Sequence, residues 1–371
     1  MRAAGTMDAS PEHQGTLRPM AARDDAPLQS LFLPFAQGVL RWPEGPVAFL
    51  RARDGWPLRE HAQGRELICE QSFAPFAQAL EAGGWTVSPS LESGQEGRFA
   101  MVLVLPPRQR DEARALFAKA LSLLAPGGIV VACQHNNEGA RSGQDDFKQI
   151  AGIGGSLTKF HCRVYWSPPL GEAHDAALMA RWAALDAPRA ILGGRYMSRP
   201  GVFAWDRIDP ASALLAEHLP ADLAGRAADL GAGYGYLSRE LLERCPGITA
   251  LDLYEAEQRA LALAETNLAT LPRPVDLRLL WQDVTAGIDS GYDVIVSNPP
   301  FHTPSRENRP DIGRRFIAVA AGALRARGRL YVVANRHLPY EEILNDSFGT
   351  VRVLAERDGF KLLEAVRGGG R

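Results

Sequence analysis

Two patterns of apolar positions alternate along the chain. Short continuous apolar runs, such as Val47-Ala48-Phe49-Leu50 and Met101-Val102-Leu103-Val104-Leu105, read as strands, and the β-branched run Tyr292-Asp293-Val294-Ile295-Val296 carries the signature of a strand buried on both faces of a parallel sheet. Between them, apolar residues recur at helical spacing over 111–124, 211–218, 256–268 and 315–326. Strands alternating with helices of this length predict an α/β fold. The rhythm also repeats. In the first half a strand to Leu105 meets Pro106-Pro107, a helix follows, and Ala125-Pro126-Gly127-Gly128 turns into the strand Ile129–Ala132. In the second half a strand to Val296 is followed by Pro299-Pro300, a helix, and Arg327-Gly328 turning into Leu330–Val333. This parallel reads as an internal duplication. Pro188, Gly193, Gly194 and Pro200 cluster as breakers at the junction. The expected organisation is a disordered tail over 1–29, one domain over 30–187 and a second over 188–371.

Composition narrows the classes. With 371 residues, 46% hydrophobic and 23% charged, the chain suits two globular domains, and a formal net charge of −2 argues against a general nucleic-acid coat protein. Cys69, Cys133, Cys162 and Cys245 are scattered without a C-x-x-C pair, so neither a zinc site nor a disulfide scaffold is indicated, and no metal is expected. No stretch is apolar for long enough to span a bilayer, and the first 27 residues are polar; a cytoplasmic monomer is the expectation.

Two stretches of the second half carry chemistry. Asp229-Leu230-Gly231-Ala232-Gly233-Tyr234-Gly235 follows a short apolar lead and precedes leucines at helical spacing, which reads as strand, tight turn, helix. Glycines permit positive φ and a close backbone approach to a ligand, and the N–H groups at the helix start offer donors to it. Asn298-Pro299-Pro300-Phe301 lies 69 positions after Asp229. A Pro-Pro pair cannot continue a central strand, so Asn298 is presented at the carboxyl edge of the sheet, where ligands of open α/β sheets bind.

Together these stretches resemble the class I S-adenosylmethionine-dependent methyltransferases of the N-P-P-[FY] branch. Ser198-Arg199-Pro200-Gly201-Val202-Phe203 and the duplicated layout look like the ribosomal RNA guanine-N2 family. The resemblance covers residues 195–365 well and the first half only in outline. It implies two tandem Rossmann-like methyltransferase domains with mostly parallel seven-stranded sheets. The first, lacking the glycine loop and the Asn, would be a degenerate copy kept for scaffolding and substrate recognition. It implies S-adenosylmethionine as cofactor, held by Asp229, Gly231, Gly233, Gly235, Glu255, Asp283 and Asn298. Asp252 competes with Glu255 as the acid for the ribose hydroxyls, and Glu255 is preferred because it sits at the carboxyl end of its strand, directly before the helix over 256–268. It further implies Asn298, Pro299, Pro300 and Phe301 as the catalytic set, with His302 an alternative base. Phe203 and Phe301 would contact the target base. Seven arginines lie between Arg306 and Arg329, and Arg306, Arg309, Arg314 and Arg315 are expected to contact ribosomal RNA. The implied reaction is methyl transfer to guanine N2 in the small-subunit RNA. Large-subunit RNA, DNA adenine or a protein glutamine remain alternative acceptors, and a non-catalytic RNA-binding factor remains the alternative class.

Overall fold

The computed structural model describes residues 25–91, 94–171, 175–271, 273–300, 310–338 and 340–369. Its strands are β1 (Val47–Leu50), β2 (Leu67–Glu70), β3 (Thr86–Ser88), β4 (Phe99–Val104), β5 (Leu124–His135), β6 (Gly155–Lys159) and β7 (Cys162–Trp166) in the first half. A junction pair follows, β8 (Arg189–Ile191) and β9 (Tyr196–Ser198). The second half has β10 (Ala224–Leu230), β11 (Gly247–Glu255), β12 (Asp276–Trp281), β13 (Tyr292–Ser297), β14 (Leu324–Asn335), β15 (Thr350–Arg357) and β16 (Phe360–Val366). Both halves build a seven-stranded sheet, ordered β3-β2-β1-β4-β5-β7-β6 and β12-β11-β10-β13-β14-β16-β15. In each, the last two pairings in this order are antiparallel and the others parallel, so only β7 and β16 run against their sheets. Identical strand order in both halves is what the repeated rhythm of the sequence implies. Helices cover both faces of each sheet, so β1 and most of β13 are buried throughout, as their continuous apolar runs require. No helix among the described residues is long and apolar enough to cross a membrane.

Three boundaries differ from the reading of the sequence. Asp25 accepts a hydrogen bond from Leu28 N at 3.0 Å and caps the helix Ala26–Leu31, whose Leu28 and Leu31 join the first core; residues 26–29 therefore belong to the domain rather than to a tail. The helix expected over 315–326 is Pro310–Ala323, and β14 begins at Leu324, which pairs with Tyr292 before a register shift. Arg327, expected in a turn, sits within that strand at φ +65. The first copy has the same shift between Phe99 and Met101, with Gly127 at φ +80 inside β5. The junction, expected as breakers only, contains the β8–β9 hairpin.

The two domains touch just beyond the carboxyl ends of β2 and β11. Ala74 N donates to Ala256 O at 2.7 Å, Gln258 N to Ser72 O at 2.9 Å, and Phe73 bridges antiparallel to Glu257. The Trp281 indole N–H donates to both Ser72 O and Ala256 O at 2.9 Å. Corresponding segments of the two copies thus pair about an approximate twofold, as equal surfaces do in a symmetric dimer. This contact brings first-domain residues beside the carboxyl edge of the second sheet.

Candidate active site

The chain leaves β10 through three left-handed glycines, Gly231 (φ +80), Gly233 (φ +56) and Gly235 (φ +87). Gly231 N and Ala232 N donate to Tyr254 O at 2.8 and 3.1 Å, which folds the turn back over β11. The glycines have different duties. A Cβ on Gly235 would press on Ala264 at 3.1 Å, so this glycine lets two helices approach, whereas a Cβ on Gly233 would meet nothing within 4 Å. Gly233 therefore faces open space. Together with Gly231, Tyr234, Phe203, Asp209 and Asn298 it lines an open cleft.

Glu255 ends β11 beside this loop. Its Oε2 accepts from Gly233 N at 2.7 Å and its Oε1 from Glu257 N at 2.8 Å. Burial pushes its carboxyl above the usual range, against the pull of these backbone donors. The competing acid has other work. Asp252 is buried and accepts from Arg226 Nη2 and Tyr292 OH, both at 2.5 Å, which commits it to the core and leaves Glu255 as the acid at the edge.

On the other side of the cleft, Ser297 Oγ donates to Leu230 O at 2.8 Å and ties the end of β13 to the end of β10. Asn298 follows at once. Its Nδ2 donates to Asp209 Oδ2 and to Ser212 Oγ, each at 2.8 Å. A carboxylate can only accept, so the amide nitrogen must face Asp209, and the carbonyl Oδ1 is turned away from that anchor. Asp209 also accepts from Ser212 N at 2.9 Å and caps the helix Pro210–Glu217. Asp209 and Ser212 anchor Asn298 from outside the motifs. Asp209 followed by Pro210 is a helix-start signature in the sequence, but its contact with Asn298 spans 89 positions. Pro299 is buried and Pro300 exposed. Phe301, His302, Arg306 and Arg309 lie outside the described residues.

The remaining positions separate into edge and interior. Phe203 is 68% exposed and lines the cleft, held by Val202, which is buried against Tyr196, Tyr234, Ala260 and Leu263. Asp229 is fully buried beneath the glycine loop, accepts from Ser238 Oγ at 2.7 Å, and is pushed up to about 7 by its burial. Asp283 stands past the end of β12 and accepts from Thr285 N and Oγ1, each at 2.8 Å, as a cap. Arg314 and Arg315 are exposed on the helix Pro310–Ala323, and Arg315 Nε donates to Thr285 O at 2.8 Å, which puts it at the carboxyl edge. Arg325, Arg327 and Arg329 do not join them. They lie at the start of β14, parallel to β13, with Arg325 paired to Asp293 and Arg329 3.6 Å from Asp222. That is the amino edge of the sheet, away from Asn298.

The first domain carries other residues at the corresponding positions. Arg51 (φ +55) follows β1 where Gly231 follows β10, and buried Leu105 precedes Pro106-Pro107 where Asn298 precedes Pro299-Pro300. Gln71 takes the place of Glu255: its Oε1 accepts from Phe73 N at 3.0 Å, but its Nε2 donates to Ala52 O at 2.6 Å. An amide in that position consumes the loop's carbonyl and offers no charge to ribose hydroxyls.

Comparison with known proteins identifies the relatives of the chain. The methyltransferase small domain family matches residues 193–364. Ribosomal RNA small subunit methyltransferase C of Shewanella loihica is 32% identical over 268 residues, 71% of this chain and 76% of its own length. The protein of the same name from Shewanella amazonensis is 30% identical over 303 residues, 77% and 86% of the two chains. The T. thermophilus 16S rRNA N2 methyltransferase, solved in complex with AdoMet and guanosine, superposes with a TM-score of 0.76 at 25% identity, covering 94% of this chain and 93% of that one.

Proposed function

The chain belongs to the family of ribosomal RNA small subunit methyltransferase C, and from that premise we propose that it transfers a methyl group from S-adenosylmethionine to the exocyclic N2 of a guanine in 16S ribosomal RNA. The observation that carries the reading is the locked Asn298 amide, sharing one cleft with the glycine loop. Guanine N2 is a poor nucleophile because its lone pair is delocalised into the ring. The Asn298 Oδ1, with the Pro299 carbonyl beside it, accepts from the amino hydrogens, favours the pyramidal nitrogen and stabilises the positive charge that grows there. Proline suits the second place because it lacks an N–H and stiffens the turn. Fixing Nδ2 beforehand on Asp209 and Ser212 means that this acceptor needs no reorganisation during the reaction.

The residues present fit the cofactor. Gly233 leaves room for close approach, Glu255 offers an edge carboxylate for ribose hydroxyls, and Asp283 stands at the adjacent strand end for the adenine amino group. When bound, S-adenosylmethionine supplies the electrophilic methyl. Phe203 and Phe301 stack on the target base, and Arg306, Arg309, Arg314 and Arg315 take RNA phosphates. The first domain, without a cofactor of its own, serves as scaffold and substrate-recognition unit. The protein works as a cytoplasmic monomer on a ribosomal subunit and uses no metal.

Labelled S-adenosylmethionine offered with separated subunits and naked RNAs from an unmodified strain tests this directly. N2-methylguanosine in the small subunit or its RNA is the expected product by mass spectrometry. Label in the large subunit, or in no RNA at all, would overturn the assignment.

A further inference from the structure

One carboxylate of the first domain reaches the loop that carries Phe203. Glu112 lies in the first turn of the helix Arg110–Leu123, where its N–H donates to the Gln109 side chain at 2.6 Å, and it is only 5% exposed. Its Oε1 accepts from Arg51 Nη1 at 3.1 Å within its own domain and from Arg259 Nη1 at 2.8 Å across the interface. Arg259 is fixed in turn by Glu257, through Nε at 2.9 Å and Nη2 at 3.1 Å. Burial of a charge at this depth is tolerated because both guanidiniums compensate it.

The same carboxylate also lies against the Gly201 turn, with Oε2 the nearer oxygen. A Cβ built on Gly201 would come within 2.2 Å of Glu112 Oε2, so the carboxylate sits directly against the backbone of this glycine. Gly201 has φ +86 and precedes the buried Val202 and the exposed Phe203. The turn is therefore held on one side by Val202 in its pocket and on the other by Glu112. Docking of the two domains does not itself call for this contact, because the Phe73–Glu257 bridge and the Trp281 hydrogen bonds already join them.

We propose that Glu112 is a positioning residue for methyl transfer: held by Arg51 and Arg259, it braces the Gly201 turn from the first domain and so fixes Phe203 over the acceptor side of the cleft. The inference rests on the methyltransferase reading. It gives the degenerate domain a direct part in turnover through a single side chain.

The test compares full-length wild type with Glu112→Ala, Glu112→Gln, Gly201→Ala and the double variant Glu112→Ala/Gly201→Ala. Cofactor Kd is followed by calorimetry, and kcat and KM on small subunits. Glu112→Ala is expected to lower kcat on the order of tenfold to a hundredfold, the scale of a misplaced group, with cofactor Kd unchanged. Glu112→Gln, which keeps the shape against Gly201, should retain more of the rate. Gly201→Ala should be costly in the wild-type background and less so once the carboxylate is gone. Should Glu112→Ala not fold, Glu112→Asp withdraws the carboxylate from Gly201 while keeping a charge for Arg259, and a kcat loss is expected there too. Wild-type kcat in the folded Glu112 variants, or strictly additive effects in the double variant, would overturn the inference. A merely structural contact would lower the melting temperature and leave kcat of the folded protein intact. No transfer by wild type would be the separate failure of the methyltransferase reading.

Discussion

An acceptor aimed at an amino group works only while its own orientation is fixed, and at Asn298 that orientation depends on two neighbours. Asn298→Ala should leave cofactor binding nearly intact and cut kcat on the order of a hundredfold or more, the scale of losing one charge-stabilising group. Ser212→Ala should lower kcat in the same direction by less, because Asp209 still holds the amide. Asp209→Ala removes the anchor and the helix cap together, so it should add a stability loss of about 1 kcal/mol that Ser212→Ala does not share. Single-turnover rates and denaturant midpoints on the three variants separate these effects; equal stability of the two anchor variants would contradict the double duty of Asp209. Asp229 makes a different prediction. Its carboxyl is pushed from 3.8 to about 7 by burial, so its contribution to stability is fully present below the unfolded value and lost as pH rises through about 7. Asp229→Asn keeps an acceptor for Ser238 but cannot titrate. The cofactor-free variant should therefore gain on wild type between pH 5 and pH 8, and a pH-independent difference in midpoint would show that Asp229 is ionised throughout.

At the scale of elements, the glycine loop separates ligand approach from packing. Gly233→Val should abolish cofactor binding with little change in stability beyond the strain of its left-handed φ, because the new side chain enters the cleft. Gly235→Ala should lower stability first, since its Cβ meets Ala264. Calorimetry of cofactor binding beside thermal melts distinguishes them, and a Gly233→Val protein that still bound cofactor normally would remove Gly233 from the site. This loop, and the strand that ends at Asn298, were legible in the sequence because both are local. Continuous apolar runs mark strands buried on both faces, and Pro-Pro marks where β13 must end. What was not legible is side-chain contact across the fold. The anchors of Asn298 sit 86 and 89 positions away from it. The preference for Glu255 over Asp252 was legible from its place at the end of the strand, but the partners that occupy Asp252, Arg226 and Tyr292, lie 26 and 40 positions from it and were not. Ala125–Gly128 and Arg327-Gly328 read as turns because glycine marks them, yet paired backbone carries both stretches into the sheet.

For the molecule as a whole, charge must be sorted by sheet edge rather than by sequence proximity. The seven arginines from Arg306 to Arg329 form one cluster in the chain, but a parallel strand order returns the start of β14 to the edge opposite Asn298. A chain of formal net charge −2 has no general attraction for RNA, so binding depends on which cations face the cleft. First-domain arginines near its carboxyl edge are largely answered internally: Arg51 by Glu112, Arg53 by Asp25 and Arg59 by Asp54. Arg314 and Arg315 stand at the carboxyl edge, and Arg325 and Arg327 do not. Replacing Arg314 and Arg315 by Ala should therefore weaken RNA binding and reduce the slope of log affinity against log salt by about one for each phosphate no longer neutralised. The Arg325→Ala/Arg327→Ala pair should leave that slope unchanged while removing the Asp293 ion pair, whose carboxylate keeps the Arg226 N–H. Filter-binding titrations of small-subunit RNA across a salt series read both slopes. If the amino-edge pair carried the salt dependence and the carboxyl-edge pair did not, RNA would have to approach from the far side of the sheet, and a target base could not then reach Asn298 along the path proposed.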